Sequence, residues 1–157
     1  MTSGFWWRLL ASGLGAGRAP VAPGTAGTLV AVPFAWGLAQ LPPLLHLLLL
    51  GLAMPAAAAV CGRAARLDTS KDPGWIVLDE MVGFWVAVAL LPPRPLTLAA
   101  GFALFRLFDI VKPPPAGWID RHLPGGWGIL LDDVAAGLWA RLVLGVLLWI
   151  SIPWGGG

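Results

Sequence analysis

A compact, polytopic all-α membrane bundle, with short helices of which some are broken or tilted, is the fold class that this sequence predicts. Three observations carry that expectation. The 157 residues are 58% hydrophobic and 11% charged, with a mean hydropathy of +0.80, a composition outside the usual range of soluble domains. The apolar residues come in stretches separated by proline pairs and polar segments, the organisation expected of helices that satisfy their own backbone groups across a bilayer. All eight acidic residues fall in two blocks, residues 68–80 and 109–133, beside alternate helix ends.

Taken in order, residues 1–14 place Arg8 among apolar residues but lack the ordered regions of a cleaved leader. Phe5, Trp6 and Trp7 fit an interfacial anchor instead. Residues 25–41 and 44–60 are joined only by Pro42 and Pro43, which predicts a tight antiparallel hairpin. Residues 75–91 and 96–111 repeat the arrangement around Pro92, Pro93, Arg94 and Pro95, and residues 134–152 form the fifth segment. Several are shorter than the roughly 20 residues that cross a hydrocarbon core of about 30 Å. Tilted, broken or partly inserted helices are therefore expected. No long polar linker divides the chain, so one domain over residues 1–157 is expected. The single cysteine, Cys61, excludes an internal disulfide and a thiolate zinc cluster. A net charge of +2 with dispersed basic residues leaves no nucleic-acid footprint.

Charge placement orients the chain. Arg8, Arg18, Arg63, Arg66, Lys71, Lys112 and Arg121 share the side of the acidic blocks, while the opposite turns hold only Arg94. The positive-inside bias makes that side the cytoplasm. A charge at membrane depth costs at least about 2.5–3.5 kcal/mol on insertion scales, so Asp79, Glu80, Arg106, Asp109 and Arg141 need partners or a function. Arg141 is expected to snorkel back towards Glu80 or Asp79.

Four segments carry chemistry. In residues 72–83, Asp72 reads as an N-cap with Pro73 at the first helical position, which puts Asp79 and Glu80 about two turns into a helix. Adjacent helical residues point about 100° apart, so one carboxylate can ligate a metal while the other serves a second ion or orients a ligand. In residues 105–113, Arg106, Asp109 and Lys112 recur along one helical face, ended by Pro113, Pro114 and Pro115. That face reads either as an ion-paired snorkelling stripe or as a phosphate site, with Asp109 binding a cation and Arg106 or Lys112 binding phosphate oxygens. Asp120, Arg121 and His122 precede a turn at Gly125, Gly126 and Gly128, after which Asp132 or Asp133 caps the last helix and the other suits a divalent cation. In residues 20–29, Gly24 and Gly27 permit close backbone approach, and Thr25 and Thr28 add hydroxyls to the free N–H groups of a helix start, an anion cradle.

Hard carboxylate oxygens at three helix ends, cations on the same side and a Gly/Thr cradle together describe phosphate chemistry assisted by Mg²⁺. At a bilayer surface the natural phosphate substrate is a lipid headgroup. A transporter would need acids at mid-depth on both halves of its path, and a structural subunit leaves the acids unexplained.

The segments Pro-Gly-Thr-Ala-Gly-Thr-Leu (23–29), Ile-Val-Leu-Asp-Glu-Met-Val-Gly (76–83), Phe-Arg-Leu-Phe-Asp-Ile-Val-Lys-Pro (105–113), and Asp120-Arg121 through Gly-Gly-Trp-Gly-Ile-Leu-Leu-Asp-Asp (125–133) resemble, in this order, the phosphatidylglycerophosphatase A family. The resemblance implies an all-helical fold, hydrolysis of phosphatidylglycerophosphate to phosphatidylglycerol and inorganic phosphate, and dependence on Mg²⁺. Joined to the charge bias, it implies a multi-pass protein of the bacterial inner membrane with its active site facing the cytoplasm. On this reading Asp79, Glu80, Asp109 and Asp133 are metal ligands, and Asp132 stands with them among the catalytic carboxylates. Thr25, Thr28, Arg106, Lys112 and Arg121 bind phosphate oxygens. Metal-activated water is the favoured nucleophile and an aspartyl-phosphate the alternative; phosphatidate or a prenyl phosphate is the second substrate class.

Overall fold

The computed structural model describes residues 3–70 and 73–151. Among these the secondary structure is entirely helical: α1 (Ser3–Ala11), a 3-10 turn (Ala16–Arg18), α2 (Pro23–Leu38), α3 (Pro43–Ala65), α4 (Leu78–Val88), α5 (Pro95–Val111), α6 (Ala116–His122) and α7 (Gly125–Ile150). Prolines open α2, α3 and α5, where the missing N–H costs nothing and φ is already helical.

The α4–α7 interface is the most extensive, and α3, α5 and α6 also pack on α7. Side-chain register gives the directions. Gly24 abuts Glu80, and the Trp85 indole donates to the Ala31 carbonyl at 3.0 Å, so α2 runs parallel to α4. Phe84 packs on Phe102 and Phe105, with ring centroids 6.3 and 6.4 Å away, and Val88 meets Gly101, so α5 runs antiparallel to α4. Gly83 lies on the Asp133 backbone and Ala89 beside Arg141, so α4 and α7 are parallel. The starts of α2 and α4, the end of α5 and the third turn of α7 therefore share one end of the molecule.

Three expectations are corrected. Helices α2 and α3 barely touch despite their short connection; Trp85 of α4 reaches between them, beside a cavity of about 430 Å³ that Phe34, Leu38, Leu49 and Leu50 also line. Helix α4 is shorter than the expected 75–91. Residues 73–77 are not helical, the Val77 N–H donates to the Ala11 carbonyl at 2.8 Å, and beyond the helix Leu90 takes a φ of 56°. Asp79 and Glu80 thus sit in its first turn rather than two turns in, and Asp72, the expected cap, lies outside the described residues, as does Lys71. Conversely, α7 begins at Gly125, so Asp132 and Asp133 stand two turns inside it and neither caps it.

Among the described residues two helices are long and apolar enough to cross a membrane: α3, 23 residues, whose most apolar 18-residue stretch has a mean hydropathy of 2.2, and α7, 26 residues, whose most apolar 18-residue stretch has 1.7. Leu44, Leu48 and Leu52 on α3 and Leu138, Leu142 and Trp149 on α7 remain exposed, an apolar face suited to lipid contact. The opposite faces are buried through small residues, among them Ala57 and Ala58 of α3 and Ala136 and Ala140 of α7. At the α4–α7 crossing a Cβ on Gly137 would strike the Gly83 carbonyl, whereas one on Gly51 of α3 would meet open space. Overpacking of this kind costs about 1–3 kcal/mol, while an unhindered helical Gly→Ala gains up to about 1 kcal/mol. Gly137→Ala is thus expected to lower the melting temperature in detergent by several degrees and Gly51→Ala not to lower it; equal effects would contradict the proposed crossing.

Candidate active site

The site is built on the crossing of α4 and α7. Asp79 and Glu80 occupy the first turn of α4 and Asp133 the third turn of α7; Asp79 is 6% and Asp133 4% exposed. Each of these three offers a carboxylate oxygen, and the oxygens lie within 4.8 Å of one another. Gly83 and Gly137 stand one helical turn beyond Asp79 and Asp133, and their backbone contact holds the two acidic turns side by side. The negative charges of Asp109, Asp79, Glu80 and Asp132 all act on Asp133.

Helix α5 brings Arg106 and Asp109 to this cluster. Arg106 Nη1 donates to Asp109 Oδ2 at 2.6 Å and lies 3.7 Å from Glu80 Oε1. Its Nε is buried without an acceptor among the described residues. Helix α2 supplies backbone: Gly24 is packed so closely on Glu80 Oε1 and the Arg106 guanidinium that a Cβ there would collide with both. The N–H groups of Gly24 and Thr25 fall in the first turn of α2, where a helix has no acceptors of its own. Thr25 is partly exposed, whereas the buried Thr28 donates its hydroxyl to the Gly24 carbonyl at 2.8 Å and so braces the helix start.

Lys112 departs from the expected stripe. It ends α5 in the left-handed region, at φ 49°, which swings its side chain off the Arg106–Asp109 face. Its Nζ donates to Asp132 Oδ2 at 2.7 Å and lies 3.1 Å from Asp120 Oδ1. Burial disfavours the ammonium, but the hydrogen bonds and charges of Asp132 and Asp120 outweigh it and raise the Lys112 pKa above that of an ordinary lysine. The adjacent aspartates are thereby divided, Asp133 facing the α4 carboxylates and Asp132 facing Lys112. Asp120, to which the sequence assigns no role, is a further participant; its place in the Asp120-Arg121-His122 run is the available signal. Arg121 is exposed on α6 and joins no ion pair among the described residues. Arg141 does not reach Glu80 or Asp79. Its Nε donates to the Ala89 carbonyl at 2.8 Å, at the far end of α4.

Chemically, the three clustered carboxylates are a hard-oxygen donor set without thiol or imidazole, which suits Mg²⁺. A guanidinium and a helix start stand beside it, so a phosphate monoester and a divalent cation can share this end of the bundle.

A family model described as Phosphatidylglycerophosphatase A matches residues 9–148. Phosphatidylglycerophosphatase A of Escherichia coli is 39% identical over 149 residues, covering 94% of this chain and 85% of that protein. Its namesake in Haemophilus influenzae is 37% identical over 141 residues, covering 87% and 85%. A protein of Bacteroides thetaiotaomicron, provisionally named a phosphatidylinositol-3-phosphatase, is 36% identical over 149 residues, covering 90% and 93%. No solved structure matches the chain. The match runs through almost the whole sequence and takes in every helix that contributes to the polar end, so the chain belongs to the phosphatidylglycerophosphatase A family of phosphatases.

Proposed function

We propose that this enzyme removes the terminal phosphate of phosphatidylglycerophosphate, leaving phosphatidylglycerol and inorganic phosphate, and that it does so with Mg²⁺ at the cytoplasmic face of the bacterial inner membrane. In this reading residues 1–157 form one multi-pass domain, with α2 and α5 as well as α3 and α7 in the bilayer. The observation that carries it is the Asp79, Glu80 and Asp133 cluster, within 4.8 Å, at the same end as Arg106 and the start of α2.

Asp79, Glu80 and Asp133 would hold Mg²⁺, which when bound offsets phosphate charge and makes a nearby water more acidic. Arg106, steadied by Asp109 and Glu80, turns its Nε–H to a phosphate oxygen. The Gly24 and Thr25 N–H groups and the Thr25 hydroxyl take another. Water attacks phosphorus in line with the glycerol oxygen, a carboxylate of the cluster accepts its proton, and the phosphorus bond to glycerol breaks as the leaving oxygen is protonated. Lys112 positions this machinery by tying the end of α5 to α6 and α7 through Asp120 and Asp132. The Bacteroides relative's name points to the same bond cleavage on a different headgroup.

The test is phosphate release from phosphatidylglycerophosphate, phosphatidate and phosphatidylinositol 3-phosphate, with Mg²⁺ and with chelator. The first substrate is expected to be preferred and chelation to abolish turnover until Mg²⁺ is restored; preference for another headgroup, or metal-independent turnover, would overturn the corresponding part. Asp79→Asn, Glu80→Gln, Asp109→Asn and Asp133→Asn are each expected to lower turnover at least about tenfold, roughly 1.4 kcal/mol of transition-state stabilisation, while the protein stays folded in detergent. Near-normal activity in all four would reject the site.

Topology is tested separately. Cysteines placed at Ser70 and Arg94 are expected to react with membrane-impermeant reagents from opposite sides, Ser70 from the cytoplasm, with buried Cys61 silent. Labelling of both from one side would show that α4 and α5 enter and leave on the same face.

A further inference from the structure

A groove of about 680 Å³ lies between α2 and α5 and is almost wholly apolar. Its walls continue two helix faces that begin in the polar site. On α2, Leu29, Val32 and Trp36 line the groove, and they follow Thr25 at intervals of four, seven and eleven residues, the spacing of one helical face. On α5, Phe102, Ala99 and Pro95 line it, and they recede from Arg106 at the same intervals along that helix. Since α2 and α5 run in opposite directions, both faces lead away from the same polar end. The groove therefore starts about one helical turn below Thr25 and Arg106. Phe102 is fixed by its edge-on contact with Phe84, at 6.3 Å between centroids, which gives the groove a rigid floor.

Resting on the phosphatase reading above, we infer that this groove holds one acyl chain of the substrate while the phosphate sits against Arg106 and the start of α2. A two-chain phospholipid has its phosphate-bearing head and its hydrocarbon joined through glycerol, and here a phosphate-binding end and an apolar channel are joined along the same two faces. Chain binding would hold the headgroup in register with the carboxylates and limit its sliding along the membrane plane. The groove opens sideways between two helices placed in the bilayer, so a lipid enters it without leaving the membrane.

Two measurements test this. The first uses phosphatidylglycerophosphate with a diazirine midway along one acyl chain, photolysed with the full-length protein in mixed micelles and mapped by mass spectrometry. Crosslinks are expected on the α2 and α5 peptides that line the groove, and are expected to be displaced by dioleoyl phosphatidylglycerophosphate but not by dioleoyl phosphatidylcholine. Crosslinks elsewhere, or displacement by both lipids alike, overturn the inference. The second compares dioleoyl and dihexanoyl substrates in Ala99→Trp, which fills the groove from an exposed position. The kcat/KM for the dioleoyl substrate is expected to fall at least about fivefold further than that for the dihexanoyl substrate. Leu96→Trp, on α5 but outside the groove and 81% exposed, is the control that leaves this ratio unchanged. A ratio unaltered by Ala99→Trp rejects the groove. Headgroup-selective crosslinking without turnover would instead refute the phosphatase reading and leave the lipid site standing.

Discussion

The polar end of this protein depends on how closely α4 and α7 approach one another. Asp79 and Gly83 are separated by one helical turn, and so are Asp133 and Gly137. Because the glycine turns meet backbone to backbone, the acidic turns above them are brought together whether or not their charges favour it. Like charges in poorly solvated surroundings repel strongly, so this contact is set by packing and opposed by electrostatics. The cations around it are placed accordingly. Arg106 bridges Glu80 and Asp109, and Lys112 bridges Asp120 and Asp132, each joining acids from two different helices. Removing either cation would leave partly buried carboxylates facing one another, a far larger loss than that of an exposed surface pair.

A second requirement follows from the shortness of α4. Its 11 residues extend only about 16 Å, and the residues around both of its ends are largely buried in the bundle. Backbone groups at such ends need partners from the protein. Ahead of the helix, the Val77 N–H finds the Ala11 carbonyl of α1; behind it, the Ala89 carbonyl receives the Arg141 guanidinium. A charged residue deep in an apolar helix is explained here by an unsatisfied carbonyl rather than by a carboxylate, at the opposite end of α4 from the site. The same economy accounts for α1, whose final carbonyl completes the loop that leads into Asp79.

What could be read from the sequence follows this division between local and long-range causes. The helical class, the apolar segments and the side on which the acids gather are properties of composition and order, and the residues of the polar end were nameable from their motifs. Conformation at helix ends was less legible. The start of α4 was misplaced because Asp72-Pro73 is a good local entry signal, whereas β-branched Ile76 and Val77 and the tie to Ala11 delay the helix to Leu78. Lys112 fits a three-residue stripe on paper, and its left-handed backbone takes it to another partner. Pro42-Pro43 announces a short connection without saying whether the helices it joins will pack, and the wedge that parts them, Trp85, comes from more than forty residues away. The choice between Asp132 and Asp133 did have a local signature: only Asp133 repeats the four-residue spacing to a glycine that Asp79 shows.

These features bear on how a lipid phosphate could be reached at all. Helices α2 and α5, of 16 and 17 residues, extend only about 24 and 26 Å, so in the proposed bilayer setting a polar end built from the start of one and the finish of the other would lie slightly below the level of full-length spans. Helix α7 continues for two turns beyond Asp133 towards Gly125, and α6 packs beside it, while a groove of about 680 Å³ lies between α2 and α5. Burial of Asp79 and Asp133 limits bulk water, which strengthens the pull of a guanidinium on phosphate, and in the proposed bilayer setting the groove would offer a lateral approach. In the proposed bilayer setting, the shortness of α2 and α5 is what would lower the acids towards the depth of a phospholipid's phosphate.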